Sequence, residues 1–140
     1  MKDNVRDFGN DNLLHSELTW KIIKAFYTVY NTLGYGFLEK VYENALVIEL
    51  RKMGLFVSQQ EPVIVYYYGQ IVGRYNSDLA VENCVIIENK TSESLCEEDE
   101  LQLINYLKAT TMEVGLLLNF GKRPQIKRKV FTNKNKPLLK

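Results

Sequence analysis

The segment Val85-Ile86-Ile87-Glu88-Asn89-Lys90 limits the folds open to this chain more than any other. Its branched apolar run reads as a buried strand. That strand ends in a carboxylate and an ammonium two residues apart. Side chains alternate along a strand, so Glu88 and Lys90 share one face, roughly 6–7 Å apart along it. Two charges at the end of a buried strand are costly unless they pair or bind an ion. Asp78 closes the preceding strand-like run, near enough to hairpin against Glu88. Two carboxylates converging beside a lysine suit a hard divalent cation held against a phosphate. An ordinary ion pair between adjacent strands uses the same three residues, and the spacing alone leaves both readings open.

The flanking sequence places this strand in an α/β chain. Ser16 is expected to cap a helix running to about Asn31, with Leu18, Ile22, Phe26, Val29 and Leu33 at helical spacing and Ile23 and Tyr30 widening the stripe. Gly34-Tyr35-Gly36 interrupts it. A second helix is expected from about Phe37 to Met53, burying Leu38, Val41, Ala45 and Ile48, with Gly54 at its C-terminal stop. Residues 55–68 turn to β character, and Pro62 points to an edge position. Strands follow over 71–81 and 84–90, joined at Glu82-Asn83. Glu97-Glu98-Asp99-Glu100 opens a third helix to about Ala109, its acids suited to the positive end of the helix dipole. Val114 to Phe120 reads as another buried strand, and Ile126 to Phe131 as a weaker one. The order is α-α-β-β-β-α-β-β in a mixed sheet flanked by helices. Residues 1–13 read as a flexible lead-in, 14–132 as one domain and 133–140 as a basic C-terminal tail.

Composition narrows the function. A length of 140 residues and a hydrophobic fraction of 46% suit one globular core. No apolar run approaches the roughly 18 residues of a membrane helix, and the polar first residues lack the core of a signal peptide. Cys84 and Cys96 show no zinc spacing, and with one histidine a Cys/His metal site is not expected. A reduced, cytoplasmic protein is the natural expectation. The net charge of +1 hides an asymmetry. Residues 121–140 hold eight Lys or Arg and no acid, which leaves ten bases against seventeen acids, a net of −7, in the remainder. Lys122, Arg123 and Lys127 are the candidate phosphate contacts in this basic end. A merely solvated tail remains the alternative.

Four motifs in order, with Asp78 counted apart from the ExK segment, carry a family resemblance. Gly36-Phe37-Leu38-Glu39-Lys40-Val41-Tyr42 matches GxxExxY at every fixed position. Asp78 with Glu88-Asn89-Lys90 matches a D…ExK signature, and Gln102-Leu103-Ile104-Asn105-Tyr106 matches QxxxY. From about Leu18 to Phe131 the chain resembles the PD-(D/E)XK nuclease superfamily, specifically its GxxExxY-type proteins and its RecB-like branch. Ser77 stands where the superfamily name has proline, Asn76 where such relatives often carry arginine, and Asn89 where the middle residue is usually apolar.

The resemblance implies a restriction-endonuclease-like fold and metal-dependent hydrolysis of phosphodiester bonds, in DNA rather than RNA. It implies Mg²⁺ or Mn²⁺ on Asp78, Glu88 and the Asn89 backbone carbonyl, with Glu39 approaching directly or through water. Lys90 would orient the attacking water or stabilise developing negative charge. Gln102 would hold a water or a phosphate, and Tyr106 a phosphate or a base. Arg74 lies near the position of the absent arginine; strand alternation is expected to put it on the face of Asn76 and Asp78. For Glu39 the plain alternative is a helix-start carboxylate favoured by the dipole; for Tyr42, a core aromatic. Tyr66-Tyr67-Tyr68 on one strand hints at a homodimer. Two rivals to the nuclease stay open: a catalytically inactive module binding nucleic acid or protein, and a subunit whose specificity comes from a partner protein.

Overall fold

The computed structural model describes residues 14–139; the lead-in expected over 1–13, and Lys140, lie outside them. Helix α1 spans Ser16–Leu33 and α2 spans Glu39–Lys52. Strands β1 (Val57–Tyr67), β2 (Gln70–Val81) and β3 (Val85–Lys90) follow, then α3 (Glu97–Ala109), β4 (Val114–Asn119) and β5 (Gln125–Val130). The order is the expected one. The strands form one five-stranded sheet in chain order. Only β3 and β4 are parallel, joined by α3 as the crossover; the other neighbours are antiparallel. Pro62 sits on β1 at the sheet edge, where its missing N–H breaks no interior ladder.

Helices α1 and α2 cover one face of the sheet. Ile22, Phe26, Val29, Tyr42, Leu46 and Leu50 pack there against Leu79, Ile87, Leu116, Leu118 and Phe120. On the other face, α3 packs Leu103, Tyr106 and Leu107 against Val63, Ala80, Ile86 and Leu117. Strands β3 and β4 are thus buried on both sides, as their continuous apolar runs require.

Two helix expectations need correction. Helix α2 buries Tyr42, Glu43, Leu46, Val47 and Leu50, while Leu38 and Ile48 are exposed and Val41 is at the surface. The residues at i, i+4 and i+8 (Tyr42, Leu46, Leu50) won over the stripe Leu38-Val41-Ala45-Ile48. Glu43 lies within the buried stripe and hid it from a reading based on apolar spacing. At α1, His15 and not Ser16 occupies the cap, with φ 53° and no side-chain cap bond; the Ser16 carbonyl instead accepts a bond from the Thr19 hydroxyl.

Strict alternation also fails along the β1–β2 hairpin. Val57 faces α1 and α2, yet Val63, an even number of residues on, faces α3. On β2, Ala80 faces α3, and so does Tyr75, five residues away, whose ring lies 5.9 Å from that of Tyr106. Both strands therefore change phase midway. On β1 the change is marked by Gln60, held at φ 53°, and on β2 it falls in the segment that contains Asp78. Arg74 alternates with Tyr75, so it is exposed on the outer half of β2 and faces away from α3. The alternation expected to align it with Asp78 breaks in the segment that contains Asp78, opposite Gln60.

The C-terminal segment folds back as two short 3₁₀ turns, Asn133–Asn135 and Pro137–Leu139. Lys136 is fully buried, and its ammonium donates to the carbonyls of Thr110 (2.8 Å) and Met112 (2.7 Å) just past the end of α3. Burial pushes its pKa down to about 8. This lysine ties down the chain end and is not presented to a polyanion.

Candidate active site

The ladder between β2 and β3 ends at Leu79–Ile87. One step further, Asp78 and Glu88 replace backbone pairing with side-chain bonds. The Asp78 N–H donates to Glu88 Oε2 at 2.8 Å, and the Asn89 N–H donates to Asp78 Oδ2 at 2.8 Å. This reciprocal clasp fixes both carboxylates where the strands part. In an extended strand the N–H and C=O of one residue point the same way, so the Asn89 carbonyl lies on the Asp78 side as well.

The electrostatics of the pair are unfavourable without a cation. Glu88 is only 5% exposed, and burial, then the Asp78 charge, pushes its pKa up to about 8. Asp78 is raised too, chiefly by burial, with Glu43 and Glu39 adding to the effect. The Lys90 ammonium acts in the opposite direction on both. Its Nζ lies 3.7 Å from Asp99 Oδ1 on the first turn of α3. The spacing of Asp78, Glu88 and Lys90 thus translates into one local cluster at the mouth between β2 and β3.

The other expected residues take varied places. Glu39 begins α2, is exposed, and acts on both carboxylates through its charge. Among the described residues no three acidic, histidine or cysteine side chains converge as a metal cage. Gln102 is exposed on α3, its amide donating to the Tyr106 hydroxyl at 3.2 Å. Tyr106 is buried, and burial followed by the Glu88 and Asp78 charges pushes its pKa up to about 12. Its hydroxyl therefore stays protonated beside the acids. Tyr42 is a core aromatic: its hydroxyl donates to the Gly34 carbonyl and accepts from the Phe37 N–H, and its ring stacks on Phe120. Lys122 and Arg123 are exposed in the β4–β5 turn, whose Gly121 and Lys122 carbonyls accept from the Tyr30 hydroxyl. Lys127 and Lys129 both pair with Glu100, at 3.5 and 2.6 Å, so part of the basic stretch is neutralised.

Three features were not anticipated. Glu43 is buried, accepts from the amides of Gln59 (2.9 Å) and Gln60 (3.3 Å), pairs with Lys40 at 3.1 Å, and bears on Asp78 more than Glu39 does. The sequence signal was a charge lodged between Tyr42 and Leu46. Asp99, the partner of Lys90, also closes a capping box with Cys96. Finally, Asn119 Oδ1 accepts the N–H groups of Ser92 and Gly121, while its amide donates to the Ser92 carbonyl, bolting the loop after Lys90 to the end of β4. A Cβ on Gly121 would lie 2.1 Å from the Ser92 carbonyl oxygen. Gly121→Ala is expected to cost about 2 kcal/mol or more, lowering the midpoint of thermal unfolding by several degrees. An unchanged midpoint would show that the loop yields freely.

The donor set fits a hard divalent cation: two carboxylates that repel each other in a partly buried mouth, each with an oxygen left over, and a backbone carbonyl beside them. Residues 16–129 match the family model of the PD-(D/E)XK nuclease superfamily. The chain belongs to that superfamily. Its PD-(D/E)XK fold is shared with the crystal structure of SSO0001, at 19% sequence identity and a TM-score of 0.51, over 84% of this chain and 60% of that one. This chain therefore spans less than two thirds of that neighbour's length. No curated protein matches. No helix among the described residues is long and apolar enough to cross a membrane.

Proposed function

We propose that this PD-(D/E)XK protein is a Mg²⁺- or Mn²⁺-dependent nuclease that hydrolyses phosphodiester bonds in DNA, of the GxxExxY type in the RecB-like branch. The observation that carries the reading is the clasped pair Asp78–Glu88, one half-buried and one buried carboxylate, both raised above their usual range beside an ammonium. Asp78, Glu88 and the Asn89 carbonyl would hold the cation. When bound, it supplies a Lewis acid that eases deprotonation of water and screens charge on the phosphate. Lys90 faces the same mouth and stabilises the negative charge that develops on the phosphate oxygens. Tyr106 offers a protonated hydroxyl to a phosphate oxygen, and Gln102 orients that hydroxyl through its amide. Glu39 and Glu43 add negative field that strengthens cation capture.

Lys122 and Arg123 are exposed in the basic end and suited to the phosphate backbone of the substrate. Affinity for DNA should therefore fall with added salt. The test is incubation of the purified chain with linear, circular and single-stranded DNA in Mg²⁺, Mn²⁺ or EDTA. Cleavage that requires the metal is expected. Absence of cleavage, together with DNA binding indifferent to divalent ions, would favour a non-catalytic binding module on the same fold.

A further inference from the structure

A groove of about 520 Å³ opens beside the acid pair, between α3, the outer half of the β1–β2 hairpin and the last 3₁₀ turn. Its walls include Tyr75, Tyr106, Gln102, Asn105 and Leu138. The volume falls in the range of small-molecule sites, roughly 300–1,000 Å³. Tyr106 belongs both to this groove and to the field of Glu88 and Asp78, so the groove and the candidate catalytic mouth share a wall.

The chemistry of the lining selects among occupants. Glu98 and Lys108 oppose each other in charge, so the groove does not favour a phosphate. Tyr75 is 52% exposed, and its ring is backed by Tyr106 at 5.9 Å with a 42° tilt. A flat ring can stack on the open side of Tyr75 but cannot slip between the two tyrosines. Asn105 is exposed and its side chain has no protein partner among the described residues, while the Gln102 carbonyl oxygen is left over after its amide reaches Tyr106. An aromatic platform with free amide donors and acceptors at its rim is the arrangement that takes a nucleobase by face and edge.

We propose that this groove receives one unpaired nucleobase adjacent to the scissile phosphate, stacked on Tyr75 and hydrogen-bonded by Asn105 and Gln102. The proposal rests on the nuclease reading and narrows its substrate class to nucleic acid with an unpaired base at the cut: a single strand, a flap or a frayed end. A base inside a duplex cannot present its face to Tyr75.

The test uses the whole chain in EDTA, where cutting does not confuse binding, and a single-stranded oligonucleotide carrying 2-aminopurine. Stacking should quench the probe's fluorescence. Tyr75→Ala should weaken binding about five- to a hundredfold and abolish the quench, Tyr75→Phe should retain both, and Asn105→Ala should weaken binding without removing the quench. Binding by Tyr75→Ala with unchanged affinity and fluorescence overturns the base site. The two readings fail separately: metal-dependent cleavage with no Tyr75 effect overturns the base site alone, and Tyr75-dependent quenching with no cleavage in Mg²⁺ or Mn²⁺ supports the base site while removing the nuclease.

Discussion

Replacing Asp78 with asparagine is expected to lower metal-dependent DNA cleavage by about a thousandfold or more while leaving the fold intact. Asparagine keeps the size of the side chain, and its carbonyl oxygen can still accept the Asn89 N–H that the carboxylate accepts at 2.8 Å. What disappears is one of two negative charges at the mouth between β2 and β3. A cation held there contributes several kcal/mol to the transition state, and each roughly 1.4 kcal/mol is a factor of ten in rate. The measurement is initial cleavage rate in Mg²⁺ and Mn²⁺, with thermal unfolding as the control for folding. Undiminished cleavage by the variant would locate the activity elsewhere, in another site or a contaminant.

The second large effect is on stability. Glu88→Gln is expected to raise the unfolding midpoint of the metal-free protein at pH 8 by several degrees. The sign follows from linkage. The folded pKa of Glu88, about 8, lies above the ordinary value of 4.5. Below pH 4.5 both states are protonated and the group costs nothing. Between pH 4.5 and 8 the unfolded chain ionises while the folded one resists, so stability falls as pH rises. Above pH 8 the full cost, on the order of a few kcal/mol, is present. Asp78 is shifted in the same direction. Glutamine removes the charge yet still accepts the Asp78 N–H. Mn²⁺ should stabilise the native chain at pH 8 more than at pH 5, and should leave Glu88→Gln almost unmoved. A midpoint that is flat from pH 5 to 8 without metal, and indifferent to Mn²⁺, is incompatible with a strained acid pair that a cation relieves.

These predictions rest on residues that were visible in the sequence, and the reason is local. Asp78, Glu88 and Lys90 sit at the ends of apolar runs, where a charge is conspicuous and short-range alternation holds over two residues. The apolar runs of β3 and β4 announced burial on both faces, and Pro62 announced an edge. Expectations that depended on longer-range geometry fared differently. Helix α2 carries two apolar stripes, and which one meets the sheet depends on how α2 packs on the core, not on α2 itself. The outcome buried Glu43 and exposed Leu38 and Ile48. The face of Arg74 depended on a phase change marked by Gln60 on the opposite strand, which residues 74–78 do not reveal. Lys136, one base among eight in its segment, is buried because two carbonyls past the end of α3 require a donor.

The amino-acid order by itself determined the succession of helices and strands, the membership of the core strands and the acidic pair with its lysine, because apolar period and charge at a strand end are properties of neighbours a few residues apart. Only the tertiary structure decided which helix face is buried, which acid backs Asp78, and that Tyr75, Asn105 and Leu138 line one groove beside that pair. Those outcomes depend on contacts between segments tens of residues apart, where packing shape and the need to satisfy buried polar groups override any local pattern.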